Sequence, residues 1–319
     1  MIYTVWLPLV LPFLAGPAAR RLPASLPPRR AVLVLALAAI GLAGASTCAL
    51  ALLVVPGATH VPAVAAVGHL LVPLASGAPD AVVAVAAVAA ALLVCCTTLL
   101  VRGAGRRQRR LRRARALAAR SDGELVVLAD DYPDAYALPG RPGRIVVTTG
   151  MIRALSAPER EALLAHERAH LKDRHHLFTA VVDLAGLCHP GLRALREPLA
   201  YAVERSADES AAAAVGDRGL TARAIARAAL AARAASAAAT PRPEPALAAT
   251  AGPVPKRVAA LLGVRDPDPG SGHGRAMRPL VRRAAALALL SCVVLSAGAS
   301  LHAADELHDG IEIAQGESP

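Results

Sequence analysis

Long apolar runs are the feature that most limits how this chain can fold. Four of them, at 2–19, 31–55, 81–101 and 284–304, reach or approach the roughly 18–20 residues a helix needs to cross the hydrocarbon core of a bilayer. Inside hydrocarbon every backbone N–H and C=O must be satisfied within the protein, so each run is expected to be a helix. Composition agrees: 55% of residues are hydrophobic and only 2% aromatic, as in Ala-, Leu- and Val-rich spans and unlike a soluble core. The first run is the weakest, because Pro8, Pro12 and Pro17 interrupt its backbone bonding. It survives as a helix only if neighbours supply donors to the freed carbonyls. No basic residues precede it, so it reads poorly as a cleavable signal peptide. A shorter run at 61–75 contains His69 and Pro73 and reads as interfacial or re-entrant.

Basic residues orient this frame. The formal net charge is +11, from 35 Lys plus Arg against 24 Asp plus Glu. Arg20, Arg21, Arg29 and Arg30 lie between the first two runs, Arg102 and the cluster at 106–115 follow the third, and Arg275, Arg278, Arg282 and Arg283 precede the fourth. With four spans all three clusters fall on one side, which the positive-inside rule makes the cytoplasm. The expected organisation is a membrane domain at 1–103, a cytoplasmic domain at 104–279, a fourth span at 280–304 and a short acidic extracellular tail at 305–319. Nearly all the cations are Arg, which points to a GC-rich bacterial genome and hence to a bacterial plasma membrane. No aromatics interleave the run at 106–115, so it reads as a topology signal beside the lipid bilayer, not as a direct nucleic-acid contact. The five cysteines include no CxxC pair, and no disulfide framework is expected.

The segment after the third run changes character. Residues 104–120 read as a basic helix leaving the membrane. Leu125 to Ala129, Ala135 to Leu138 and Arg144 to Thr148 read as strands, the last two separated by the turn-forming Pro139-Gly140-Arg141-Pro142-Gly143. Ser156-Ala157-Pro158-Glu159 is a capping-box pattern that should open a helix running to about Asp173. A second helix should begin near Pro198 and end near Gly216, and a third should follow Thr221 as N-cap. The Pro-rich segments 240–256 and 264–274 read as linkers.

His166-Glu167-Arg168-Ala169-His170 lies on the first of these helices. Four-residue spacing stacks the two imidazoles on one face, where they can share a Zn²⁺ ion. Glu167 is then close to the metal without joining the chelate. It can take a proton from the attacking water and return it to the leaving amine. Such a pattern arises by chance on the order of once in a hundred chains of this composition. Catalytic zinc takes three protein ligands, and Glu204 on the next helix completes a His-His-Glu set. Asp208, one turn on, is suited to hold a ligand His by its second ring nitrogen. Glu197 and Glu209 are poorer substitutes: Glu197 precedes the expected helix, and Glu209 points about a hundred degrees away from Glu204. Tyr201 is a candidate donor to the oxyanion, with core packing as the plain alternative. His175, His176 and His189 read as surface or interfacial residues.

The run from Asp134-Ala135-Tyr136-Ala137-Leu138-Pro139-Gly140 through Ile145-Val146-Val147-Thr148-Thr149-Gly150 to the HExxH, extended by Glu204-Arg205-Ser206-Ala207-Asp208, resembles the BlaR/MecR-type integral-membrane zinc metallopeptidases. The 33 residues between His170 and Glu204 suit these better than the related HtpX-type peptidases. The resemblance covers about 120–215 and implies an α-helical membrane protein with an α+β zincin-like cytoplasmic metallopeptidase domain: a small sheet, the HExxH helix and a second helix carrying the Glu ligand. It also implies one zinc per chain on His166, His170 and Glu204, with Glu167 as acid/base. Substrates would be proteins such as a winged-helix transcriptional repressor, and the strand at 135–138 an edge that pairs with substrate. About 15 residues follow the last run, so a stand-alone member lacking the penicillin-binding sensor domain is expected. Two alternatives stand beside this: an HtpX-type quality-control protease, and a non-enzymatic membrane sensor or scaffold with a vestigial site.

Overall fold

The computed structural model describes residues 4–69, 74, 79–118, 123–238, 253–263 and 277–316. The helices are α1 (Leu7–Arg21), α2 (Pro28–Ala58), α3 (Pro62–Val67), α4 (Pro79–Ala118), α5 (Thr149–Ala154), α6 (Ala157–Lys172), α7 (His175–Cys188), α8 (Arg196–Val215), α9 (Arg218–Ala238), α10 (Val254–Leu261) and α11 (Met277–Gln315). Three strands, β1 (Leu125–Leu128), β2 (Ala135–Leu138) and β3 (Arg144–Thr148), lie between α4 and α5.

Among the described residues, α2, α4 and α11 are the three helices long and apolar enough to cross a membrane. The expected first span is not one of them. It folds as a 3-10 turn at Thr4–Trp6, the 15-residue α1 and a second 3-10 turn at Leu22–Ala24. Pro12 has no N–H to give the Pro8 carbonyl, and Ser46 of α2 donates its hydroxyl to that oxygen at 2.7 Å instead. That bond ties α1 to α2. Its Ala15, Ala18 and Ala19 are buried in a core with α2.

Close contacts set the helix directions. Gly57, near the end of α2, meets the start of α4, where an added Cβ would lie 2.2 Å from Ala86 Cβ. The two helices are therefore antiparallel, and only glycine fits that crossing. Gly41 faces Val293, and Ser300 donates to the Ala45 carbonyl at 3.3 Å, so α11 runs parallel to α2. The starts of α2 and α11 and the arginine-rich half of α4 consequently share one end of the bundle. The basic segment expected at 104–120 is a direct continuation of α4, and most of the expected tail at 305–319 continues α11 to Gln315. Of the run at 61–75, α3 is six residues long, and 70–73 and 75 lie outside the described residues.

The sheet has order β1-β3-β2, with β1 parallel and β2 antiparallel to β3. β2 is an edge strand and packs beside α6. The α6 N-terminus carries the capping box: Glu159 Oε2 accepts from the Ser156 N–H at 2.9 Å and from its hydroxyl at 2.7 Å. Arg227 of α9 reaches the same oxygen at 3.1 Å, tying the third helix to the first turn of α6. Glu159→Ala is expected to cost about 1–2 kcal/mol of stability. The Ser156 hydrogen bonds hold the Glu159 carboxyl below its ordinary range. That contribution is therefore present above the usual carboxylate pKa and is lost as pH falls through the depressed value. Thermal unfolding of wild type and variant at neutral and acid pH checks this: the gap between midpoints should narrow in acid.

The expected boundary at 103/104 is not a boundary in packing. One core contains Ala31, Leu35 and Leu42 of α2, Val182 and Ala185 of α7, and Leu199, Ala202 and Val203 of α8. Helix α7 enters beside α2 and α4. Asp173, just before it, pairs with Arg29 at 2.7 Å, and the Cys188 carbonyl at its end accepts from Cys96 Sγ at 3.3 Å. There the chain turns through 190–195 and returns as α8. At the turn His189 is buried. Its Nδ1 accepts from Gly191 N–H, which leaves Nε2–H to donate to the Leu9 carbonyl at 2.9 Å. Gly191 lies so close to the Pro12 and Phe13 backbone that a Cβ there would fall 2.9 Å from Phe13 N.

Helix ends differ by a few residues from expectation. Helix α8 starts at Arg196, so Glu197 is in its first turn, exposed, and not ahead of it. It ends at Gly216 with φ of 76°, a left-handed cap that glycine adopts freely. Helix α9 is opened by Asp217, whose Oδ1 accepts from Leu220 N–H at 2.8 Å, and Thr221 is buried one turn inside. Part of the expected linker at 240–256 is Pro253, the N-cap of α10, and the start of that helix; 240–252 lies outside the described residues, as does 264–274.

Candidate metal centre

Helix α6 presents His166 and His170 from one face, with ring centroids 4.8 Å apart and Nε2 atoms 3.1 Å apart. Packing of α8 against α6 brings Glu204 to the same point: Oε2 is 3.6 Å from His166 Nε2 and Oε1 is 3.6 Å from His170 Nε2. Four tetrahedral bonds of about 2.0–2.1 Å put neighbouring ligand atoms about 3.3 Å apart, so this donor set fits one zinc ion. Two imidazole nitrogens and a carboxylate are also the ligand types zinc accepts while keeping an open position.

Glu167 is buried beside this group, and its Oε1 has no hydrogen-bond partner among the described residues. Burial raises its pKa, the His166 charge opposes this, the Glu204 and Asp134 carboxylates add to it, and the Ala137 amide of β2 lowers it, with a net rise to about 7. An unpaired buried carboxylate oxygen of that basicity is suited to exchange a proton with a water molecule.

Each histidine is held from behind. His166 Nδ1 lies 3.0 Å from Asp208 Oδ1. Burial disfavours the His166 cation, but the adjacent Asp208 and Glu204 carboxylates outweigh it and push the pKa up to about 10. His170 Nδ1 lies 3.1 Å from His175 Nδ1. His175 is buried, in place of the expected surface or interfacial position, and burial pushes it down to about 4. It is therefore neutral at pH 7 and can accept the Nδ1–H of His170, leaving His170 Nε2 as the metal-facing atom. His189 is likewise buried, but at the α7 turn, far along the chain packing from this group.

Arg257 of α10 has no counterpart in the sequence reading. It is 1% exposed, donates from Nε and Nη2 to the two Asp208 oxygens at 2.8 and 2.6 Å, and reaches Glu204 Oε2 with Nη1 at 2.8 Å. Burial opposes ionisation of Asp208, but the hydrogen bonds from Arg257 and His166 hold its pKa down at about 2. The only local signal for α10 is the apolar spacing of Val254, Val258 and Leu261 within a Pro-rich stretch. Nothing in that order of residues indicates that the arginine returns to the HExxH helix.

Tyr201 is half-buried on α8, one turn before Glu204, and makes no hydrogen bond among the described residues. Glu209 is drawn away from the group by Arg205 at 3.3 Å and Arg218 at 2.7 Å.

Comparison with known proteins bears on this segment. The family model described as Peptidase family M48 matches residues 102–189. Over 65 residues the chain is 40% identical to a protein named Protease HtpX homolog from Gemmatimonas aurantiaca, a match covering 19% of this chain and 23% of that protein. The match thus spans less than a quarter of that relative's length. No solved structure matches. The sheet, the HExxH helix and α7 accordingly lie in a stretch similar to Peptidase family M48, while Glu204, Asp208 and Arg257 complete the site from helices beyond it.

Proposed function

We propose that the chain is a membrane-bound, zinc-dependent endopeptidase acting on cytoplasmic protein substrates. In this reading His166, His170 and Glu204 hold one zinc ion and Glu167 is the catalytic acid/base. The observation that carries it is the meeting of two imidazole nitrogens and a carboxylate within 4.8 Å of one another, beside a buried Glu167. When bound, zinc supplies Lewis-acid polarisation to such a site. Glu167 receives the proton of the attacking water on Oε1 and delivers it to the leaving amine. Asp208 and His175 orient the two histidines through their Nδ1 atoms. The free edge of β2 offers backbone groups to an extended substrate, and Tyr201 is the side-chain candidate for the oxyanion. The common end of α2, α4 and α11 that bears the arginines also bears the α6–α7 junction, which supports a cytoplasmic site in a bacterial plasma membrane.

Two readings of the substrate follow. The short His170–Glu204 spacing favours a regulatory BlaR/MecR-type enzyme that cleaves one protein, such as a winged-helix repressor. The identity with an HtpX homolog favours broader, quality-control cleavage. Comparing cellular proteins that persist in the Glu167→Gln strain separates them: one stabilised regulator supports the first, many stabilised membrane proteins the second. Metal content by mass spectrometry of detergent-purified protein tests the site itself. Near-stoichiometric zinc in wild type, lost by at least about tenfold in His170→Ala and Glu204→Ala, is the expected result. Zinc missing from wild type purified without chelators would return the chain to the non-enzymatic sensor reading.

A further inference from the structure

A cleft of about 750 Å³ opens between the end of α4, the β2–β3 turn and the start of α7, and none of His166, His170 and Glu204 lines it. Arg115, Arg141, Arg144 and Arg174 line it, with no acidic residue among the described lining residues. Arg115 is fixed at the wall by its Nε donating to the Pro139 carbonyl at 2.8 Å. Arg174 stands between α6 and α7 at φ of 51°, a left-handed conformation that favours Gly or Asn, yet the residue there is an arginine. His176 lies among these charges, and burial together with Arg107, Arg115 and Arg174 holds its imidazole below the ordinary value. Arg115, Arg141 and Arg174 are exposed around one concavity, where clustered cations focus a field that favours an anion.

The cleft's depth narrows the source of that anion. Its rim residue Arg174 follows Asp173, which pairs with Arg29, two residues before the apolar part of α2 begins. Beside it Leu177, in the first turn of α7, is 48% exposed. A cationic hollow next to an exposed leucine at the edge of the hydrocarbon matches a phosphate group with an attached acyl chain.

We infer that this cleft binds a phosphate-bearing anion, supplied by the headgroup of an anionic phospholipid in the surrounding leaflet. The site is independent of the peptidase reading. The test uses full-length, delipidated protein in neutral detergent. Its thermal midpoint is followed against short-chain phosphatidylglycerol, phosphatidylcholine of the same chain length, and inorganic phosphate. Phosphatidylglycerol should raise the midpoint saturably and phosphatidylcholine should not. The double variant R141Q/R174Q should need about tenfold more phosphatidylglycerol for the same shift. R141K/R174K should retain most of the effect, and R106Q/R110Q, which removes two arginines of α4 outside the cleft, should behave as wild type. Equal protection by inorganic phosphate with the same arginine dependence would keep the anion site and overturn the lipid as its source. No shift with phosphatidylglycerol, or equal losses in R141Q/R174Q and R106Q/R110Q, would overturn the site.

Discussion

Glu167→Gln should lower peptide hydrolysis by about 10²–10⁴-fold while leaving the bound zinc unchanged. The side chain keeps its size and its place under β2, and no ligand atom is removed. What disappears is the carboxylate oxygen able to take and return a proton. The present surroundings make this loss severe. Oε1 has no hydrogen-bond partner among the described residues, and burial, the largest cause, raises the carboxyl to about 7, which leaves that oxygen free to exchange a proton with water. Turnover of a denatured or membrane-protein substrate, measured together with zinc content, distinguishes the outcomes. Loss of both would make Glu167 a support for the metal; loss of neither would remove it from the chemistry.

Arg257→Met is expected to destabilise the fold by about 3–5 kcal/mol, the cost of removing one partner from a buried ion pair. Arg257 is the cation set against Glu204 and Asp208, and all three side chains are buried. Without it two carboxylates stay in a low-dielectric interior with less compensation. Zinc would neutralise the same carboxylates, so the defect should be larger in the presence of a chelator than with metal bound. Arg257→Lys should be intermediate, because an ammonium cannot make the two-pronged contact to Asp208 and also reach Glu204. Unfolding midpoints of the purified protein with and without chelator provide the check. A variant as stable as wild type in chelator would mean that α10 does not need the pair to dock.

These two residues also mark how far the sequence reaches. Glu167 was legible because HExxH is a local device: the 3.6-residue period alone stacks His166 over His170 and sets Glu167 beside them. The three strands, the capping box on α6 and the Gly216 cap were legible for the same reason, since turn residues and side-chain caps act within four or five positions. The apolar runs marked α2, α4 and α11, because hydrocarbon length is a property of one segment. The proline-interrupted run at 2–19 is different: the Pro8 carbonyl of α1 is satisfied by a serine on another helix, a contact that no local pattern announces.

What only the tertiary structure decided is how distant segments meet. Arg257 follows Asp208 by 49 positions, and no local period ties α10 to α8. His175 looks like a surface residue until α7 turns back beside α2 and buries it behind His170. The four cleft arginines come from α4, the β2–β3 turn, β3 and the α6–α7 junction, and their shared concavity exists only once those pieces pack. Caps, periods and spans depend on bonds between near neighbours and can be read from the order of residues. Buried charge pairs and clefts depend on which surfaces exclude water together, and that is set by the packing of the whole chain.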